Sequence, residues 1–474
     1  MGWRRSRTRV RPGDIEGTWR VDRVKEDDSG ALDPFLDPRA HRCQVAPPFA
    51  RGESLSHIVL QKIIAGLAIL GLSAGCAQED AGTPPPTDAF HYPVSLALHP
   101  AEGVAQTLYV ASSNFDLLYN RGTVLAVDLT ALDLDATNES QPLASLIDQE
   151  SGYATIDSFA GMMLLNDGAR LFVPTRSDHR LFALDVNGPA LRCVSDADSG
   201  KPQDCAGVSL SKDGTEATDP YALAMHEGAL YVTHGTRPST GDSYENSMLA
   251  RLDPETLGDL SFIDIGPAPS EGILDTPSGL YFTGRAVLNA SEALRSLVDD
   301  QVFDAGVTLA TGIQEGRGLG LSSDGTRLYV LTRGTRNSSN VPSIGPDGLL
   351  VVDISPDEST GLARNQVLAF SELPEGASQM AVIPREDKRD LIAVSCTDSD
   401  FVVLYDDELG VTTAAIIVDS PYGIAWSAMG EGGSGARLFV ASFAGQSVEI
   451  IDVPDLNAPQ IWKKRRSLKG PSQE

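Results

Sequence analysis

Residues 437–453 read RLFVASFAGQSVEIIDV: two seven-residue runs rich in β-branched and aromatic residues, 437–443 and 447–453, joined by Ala444-Gly445-Gln446. Runs of this length and composition around a glycine turn mark a pair of strands. The pair recurs. Its first half returns as TLYVASS (107–113), RLFVPTR (170–176), ALYVTHG (229–235), GLYFTGR (279–285), RLYVLTR (327–333) and LIAVSCT (391–397), about 55 residues apart on average. Its second half, ending at or near an Asp, returns as TVLAVDL (123–129), RLFALDV (180–186), MLARLD (248–253), LLVVDI (349–354) and FVVLYD (401–406). Several units open on a third run of small and apolar residues: YPVSLALHP (92–100), DPYALAMH (219–226), GRGLGLSSDG (316–325) and SPYGIAW (420–426). Weaker apolar runs between units, ASLIDQ, LSFIDIG, VLAFSEL and AAIIVDS, supply a fourth strand.

Seven four-stranded antiparallel units describe an all-β, seven-bladed β-propeller over residues 90–462, in which radial closure leaves only short sheet edges. The units resemble the YVTN repeat family of propellers, whose pattern is P-x-G-I-A, then LYVTN, then VSVID. Blade four departs from it: GLYFTGR is followed by NASEALRSLVDD, with an Asn289 cap and a helical pattern. The uneven spacing leaves wrapped β-sandwiches as the alternative fold.

The chain has 474 residues, 45 of them Gly and 29 Pro, which favours many short elements over long helices. Its 37 basic against 65 acidic residues give a net charge of −28, which repels polyphosphate and argues against nucleic-acid binding.

The first 75 residues read as an address. Residues 63–72 (IIAGLAILGL) form an uncharged apolar run of ten preceded by Lys62, the length of a signal core and too short to span a bilayer. It leads into Leu72-Ser73-Ala74-Gly75-Cys76. That stretch resembles the lipobox of bacterial lipoproteins, which implies a signal peptide over 59–75 and lipid, such as palmitate, on Cys76. Residues 1–58 are Arg-rich and lack hydrophobic periodicity, so they read as untranslated, or else as a disordered extension. The mature part then carries 25 basic against 56 acidic groups, a net of −31. Ala77 and Gln78 replace the aspartate that retains lipoproteins at the inner membrane, so the resemblance implies outer-membrane anchoring. Residues 76–89 are a Pro-rich, acidic, solvated tether.

In an up-and-down blade, the segment leading into the first strand and the loop from second to third strand share one face. Those loops are long at 113–122, 234–247 and 333–348, making that face the candidate binding surface. Tyr92, Phe159, Tyr221, Arg317, Gln379 and Tyr422 lead into first strands and point toward the channel, as a polar and aromatic ring or as wedges between blades. Arg176, Arg285, Arg333 and Arg336 stand at the same rim, as anion ligands or as ordinary surface.

Catalytic chemistry is thinly represented. Gly71–Gly75 matches G-x-S-x-G only inside the apolar leader, without a strand-to-helix elbow. His91, His99, His179, His226 and His234 lie in no metal-ligand spacing, and Asp196-x-Asp198-x-Gly200 lacks the closing Glu of a calcium loop. No metal or cofactor is therefore expected. Cys193 and Cys205, 12 positions apart, are expected to be bridged in an oxidising compartment, leaving Cys396 as a buried thiol. The run Lys463-Lys464-Arg465-Arg466 opens a basic tail, 463–474. These readings converge on a non-enzymatic envelope lipoprotein, anchored in the outer membrane, that binds an envelope protein or small ligand through its loop face. The alternative resembles lactonase-type propellers, a hydrolase with a polar site at the channel mouth around Arg317, Gln379 and Tyr422.

Overall fold

A computed structural model describes residues 82–471, apart from 196–202, 213, 214, 217, 236–238, 241, 242, 245, 285–293, 306, 308–312, 335–345 and 431–433. Residues 1–81, with the leader and Cys76, and also Arg285, Asn289, Arg336 and the Asp196–Gly200 motif, lie outside the described residues.

Among the described residues, seven antiparallel sheets follow one another along the chain, each built on four strands in sequential order from the inside out, with a short fifth strand, Val208–Ser209, added to the third strand of the second sheet. Their innermost strands are Pro93–His99, Leu164–Asn166, Pro220–His226, Ile273–Thr276, Ile313–Leu321, Ala377–Arg385 and Pro421–Ala428. Each packs beside the next, and the seventh packs beside the first, so the sheets form a closed seven-bladed β-propeller. Among the described residues no helix is long and apolar enough to cross a membrane.

The second strands explain why the repeated LYV runs are apolar at consecutive positions. In Thr107–Ser112, Leu108 and Val110 join the core shared with blade 7, whereas Tyr109 and Ala111 join the core shared with blade 2. Side chains alternate between faces, and both faces of a blade are buried against neighbours, so neither parity can be polar. One apolar cluster sits at each of the seven blade junctions, giving a ring-shaped core rather than a central one. The tyrosines of these strands also bolt blades together. Tyr109 donates to the Gly188 carbonyl at 2.7 Å, Tyr281 to Asn365 at 2.8 Å and Tyr329 to Asp407 at 3.1 Å, each in the following blade.

Three local readings need correction. The segment Leu294–Val298 of blade 4, which carries a helical pattern in sequence, is its third strand, paired with Gly279–Thr283 and Gln301–Asp304. The fourth strand of blade 1 is Tyr153–Ile156; the first half of ASLIDQ instead falls in a short 3-10 turn, Leu143–Leu146. The basic run 463–466 is no tail. Lys463–Lys469 is the outer strand of blade 7, paired with Ser447–Val453, with Arg466 and Leu468 turned inward, so the propeller extends past residue 462.

That strand settles how the ring closes. Blade 1 is built only from 93–156 and blade 7 only from 421–469, so no strand is exchanged between the chain ends. The seam is held by side chains: Phe90, Leu108, Leu125, Phe439, Ile450 and Leu468 share one cluster. Arg466 donates to the Asp133 carbonyl and to Gln141 Oε1, both at 2.6 Å, and Arg465 pairs with Asp135 at 2.8 Å. On the channel side, Ser427 Oγ accepts from Ala105 N at 2.9 Å, and Gly103 O accepts from Ala428 N at 2.9 Å.

Cys193 and Cys205 form a disulfide, Cα to Cα 5.2 Å, that pins the outer edge of blade 2. Cys396 is buried, and burial pushes its thiol up to about 12, which keeps it protonated and inert at neutral pH.

Because no strand is shared across the seam and its apolar cluster includes Leu468, Leu468→Ala should destabilise the whole ring. The fully buried side chain predicts a loss of about 2–5 kcal/mol, read from the urea midpoint in equilibrium unfolding. An unchanged midpoint would mean that the outer strand of blade 7 is not part of the closure.

Candidate functional site

The innermost strands approach one another near their first residues so closely that several positions there tolerate only glycine. A Cβ on Gly272 would lie 2.1 Å from the Arg317 carbonyl oxygen, and one on Gly423 2.7 Å from the Val94 carbonyl oxygen. This packing draws the next residues around the channel into contact. Tyr221, Arg317, Gln379 and Tyr422, with Arg333 from the second strand of blade 5, line one small cavity together with Glu271 and Ser378.

Within it the polar groups mostly satisfy one another. The Tyr221 and Tyr422 hydroxyls, from blades 3 and 7, bond to each other across the channel. Burial pushes the Tyr221 phenol well above its ordinary range, with the neighbouring Tyr422 adding to the shift, so it remains a neutral donor or acceptor. Arg317 pairs with Glu271 and, at 2.8 Å, with Glu315. Burial lowers its guanidinium to about 10, with repulsion from Arg333 next in weight, which leaves it charged at neutral pH. Arg333 donates to the carbonyls of Ala377 at 2.8 Å and Gly376 at 2.9 Å, and to Ser378 Oγ at 2.5 Å. Beside it the Asp347 carboxylate accepts from Gly334 N at 2.8 Å and Gly376 N at 2.5 Å, tying blade 5 to blade 6.

The space left is about 50 Å³. That is room for a few waters, well under the roughly 300–1,000 Å³ of pockets that enclose small-molecule substrates. The lining includes a carboxylate but no Ser, Cys or Lys activated by a base in the manner of a covalent catalyst. Among the described residues, no group of His, Cys, Asp and Glu is placed to hold a metal ion.

Tyr92 and Phe159 are not among the residues lining this cavity. Both have left-handed backbone, φ 53° and 58°, a costly conformation for bulky residues. Their rings join an aromatic cluster farther out on the same face: Tyr92 lies 4.9 Å from Phe443, and Phe115 lies 5.8 Å from Phe159 and 5.4 Å from Phe443. Tyr422, 6.3 Å from Phe443, joins cluster and cavity. The 113–122 loop that carries Phe115 is wound around Asn114, which is 1% exposed. Asn114 Nδ2 donates to the Tyr119 carbonyl at 2.7 Å and to Ser158 Oγ at 2.9 Å, while its Oδ1 accepts from Tyr119 N at 3.1 Å.

The other rim residues have structural partners. Arg176 pairs with Asp219. His91 is buried between Asp116, at 2.7 Å, and Gln446, at 3.3 Å. His234 is buried with Nδ1 3.2 Å from the Thr218 carbonyl, and desolvation lowers its imidazole to about 3. Sequence reading missed Glu271, Glu315, Asp347 and Ser378. Glu271 and Glu315 each precede a glycine near the start of an innermost strand, a pairing that could have flagged them.

No family model matches the chain, and no curated protein matches it. Among solved structures, hydrazine synthase from Kuenenia stuttgartiensis is 10% identical with a TM-score of 0.49, over 79% of this chain and 97% of that one. A protein described as a 6-phosphogluconolactonase from Bacteroides fragilis is 12% identical with a TM-score of 0.43, over 70% and 86%. Virginiamycin B lyase from Staphylococcus aureus is 12% identical with a TM-score of 0.41, over 65% and 84%. At such identities no chemistry carries over.

Two outcomes follow from the site's geometry. Tyr221→Phe and Tyr422→Phe should each cost about 1–3 kcal/mol by leaving a buried hydroxyl unpaired, and the double variant should cost less than their sum. A double-mutant cycle by urea unfolding with no coupling would show that the pair does not latch the channel. His234 binds its proton more weakly folded than unfolded, so its contribution is complete above pH 6.5 and is lost as pH falls from 6.5 toward 3. Between pH 7 and pH 5 the loss is about 2 kcal/mol, and His234→Asn should flatten that part of the stability profile.

Proposed function

We propose that the chain is an envelope lipoprotein, anchored in the outer membrane through Cys76, whose propeller acts as a non-enzymatic binding or scaffolding module through its loop-rich face. The observation that carries the non-enzymatic part is the state of the channel mouth. Its arginines and tyrosines are engaged by other protein groups, around a cavity of about 50 Å³. Support for a binding role comes from the rim of the same face, where Phe115, Leu117 and Leu118 are 46%, 55% and 54% exposed on a loop held by a buried asparagine. Large apolar side chains held rigidly in solvent are characteristic of contact surfaces. Support for anchoring comes from the LSAGC sequence at 72–76 and the Pro-rich stretch after it.

One observation favours the hydrolase reading: Tyr221, Arg317, Gln379, Tyr422 and Arg333, distant in sequence, do line one cavity. Turnover of any member of a panel of sugar lactones, abolished by Arg317→Gln, would support it over the binding module.

The anchor is tested by expressing the full gene in a lipoprotein-processing host. The product is expected in the outer-membrane fraction with an intact mass matching a chain that begins at lipidated Cys76, and Cys76→Ala should abolish both. A soluble product retaining residues 1–75 would overturn the localisation.

A further inference from the structure

We infer that the blade-1 corner of the loop-rich face lies against the lipid bilayer, with Phe115, Leu117 and Leu118 seated in its surface. This rests on the reading that Cys76 carries lipid, and adds an orientation to it.

The geometry points there from two directions. The loop holds its three apolar side chains outward on a fixed frame. Leu117 does so from a left-handed backbone, φ 56°, a conformation that a leucine seldom adopts. Phe115 is braced edge-on by Phe159 and Phe443, so it cannot fold away without breaking those contacts.

The second direction is the tether. Asn120 N donates to the Thr83 carbonyl at 3.0 Å, so the chain leaving the propeller is tied to this loop, two residues from Leu118. Gly82, the first described residue, is six positions after Cys76, and fully extended those six steps span about 20 Å. A lipid on Cys76 therefore holds the bilayer within that distance of Gly82, at the foot of the loop that carries the exposed apolar tips, whichever path the tether takes.

Charge selects how the loop meets the membrane. Residues 113–122 contain one acid and one base, each paired within the protein: Asp116 with His91 and Arg121 with Asp204. With no free cation on the loop, contact runs through apolar insertion rather than attraction to anionic headgroups, so it should occur on zwitterionic lipid and resist salt. A ligand of the neighbouring loops would then be met at the membrane surface.

The test uses the chain from Cys76 onward, whose propeller closes its own ring. Its thiol is coupled to a maleimide lipid in phosphatidylcholine vesicles; Cys193 and Cys205 are bridged and Cys396 is buried. Leu117→Trp and, separately, Leu118→Trp are compared with the parent in vesicles of brominated phosphatidylcholine. The emission added by either substitution is expected to fall at least twofold, and equally at about 0.1 M and about 1 M salt, between which the screening length shortens from roughly 10 to roughly 3 Å. Trp462 precedes the outer strand of blade 7 on the opposite face, and its emission should be unaffected. Unquenched emission from both variants, or quenching lost in high salt, would overturn the orientation while leaving the anchor intact. Absence of lipid on Cys76 in the processing host would overturn both.

Discussion

Every blade of this propeller depends on a neighbour at each face, and the ring therefore depends on the one junction that the chain does not connect. Blades 1 and 7 meet without a shared strand. The seam is a cluster including Phe90, Leu108, Phe439 and Leu468, reinforced by Arg466 reaching the carbonyl of Asp133 and the side chain of Gln141. The residues 129–152 that receive those contacts are the long connection between the third and outer strands of blade 1. What reads in sequence as a loop and a basic tail is thus a strap and its buckle. The same demand for burial on both faces gives the second strands their unbroken apolar runs, and their tyrosines the reach to bolt one blade to the next.

Closure also shapes the candidate site. Gly272 and Gly423 let innermost strands approach within the space of a missing Cβ, and this brings Tyr221 to Tyr422 and Arg317 to Glu271. A channel mouth drawn so tight spends its polar groups on internal partners, leaving only a water-sized cavity. The surface with unmet contacts lies farther out, at Phe115, Leu117 and Leu118, where apolar side chains face solvent. Strength at the centre and exposed apolar surface at the rim are the two features on which the proposed scaffold role rests.

Legibility in the sequence follows burial. The run 107–112 was readable because both its faces are apolar, and 294–298 was not, because Glu292 and the alanines ahead of it give that stretch a helical spacing that pairing with neighbouring strands overrides. The outer strands were hardest: in 463–469 one face looks to solvent, so lysine and arginine fill it and the alternation disappears. At the site, the tyrosines and arginines were found from their place at strand starts. Their partners Glu271, Glu315 and Asp347 were not, since an acidic residue in an acidic protein carries no signal until a cation is placed beside it.

By itself the sequence determined the seven-fold repeat, the all-β class and the pairing of Cys193 with Cys205, because strand periodicity and cysteine spacing are local properties of the chain. The tertiary structure decided which terminus completes the last blade, which ring residues share a cavity and which turn outward, and that the cavity is small. Those outcomes depend on distances between residues as far apart as Tyr221 and Tyr422, which are set only when the ring closes.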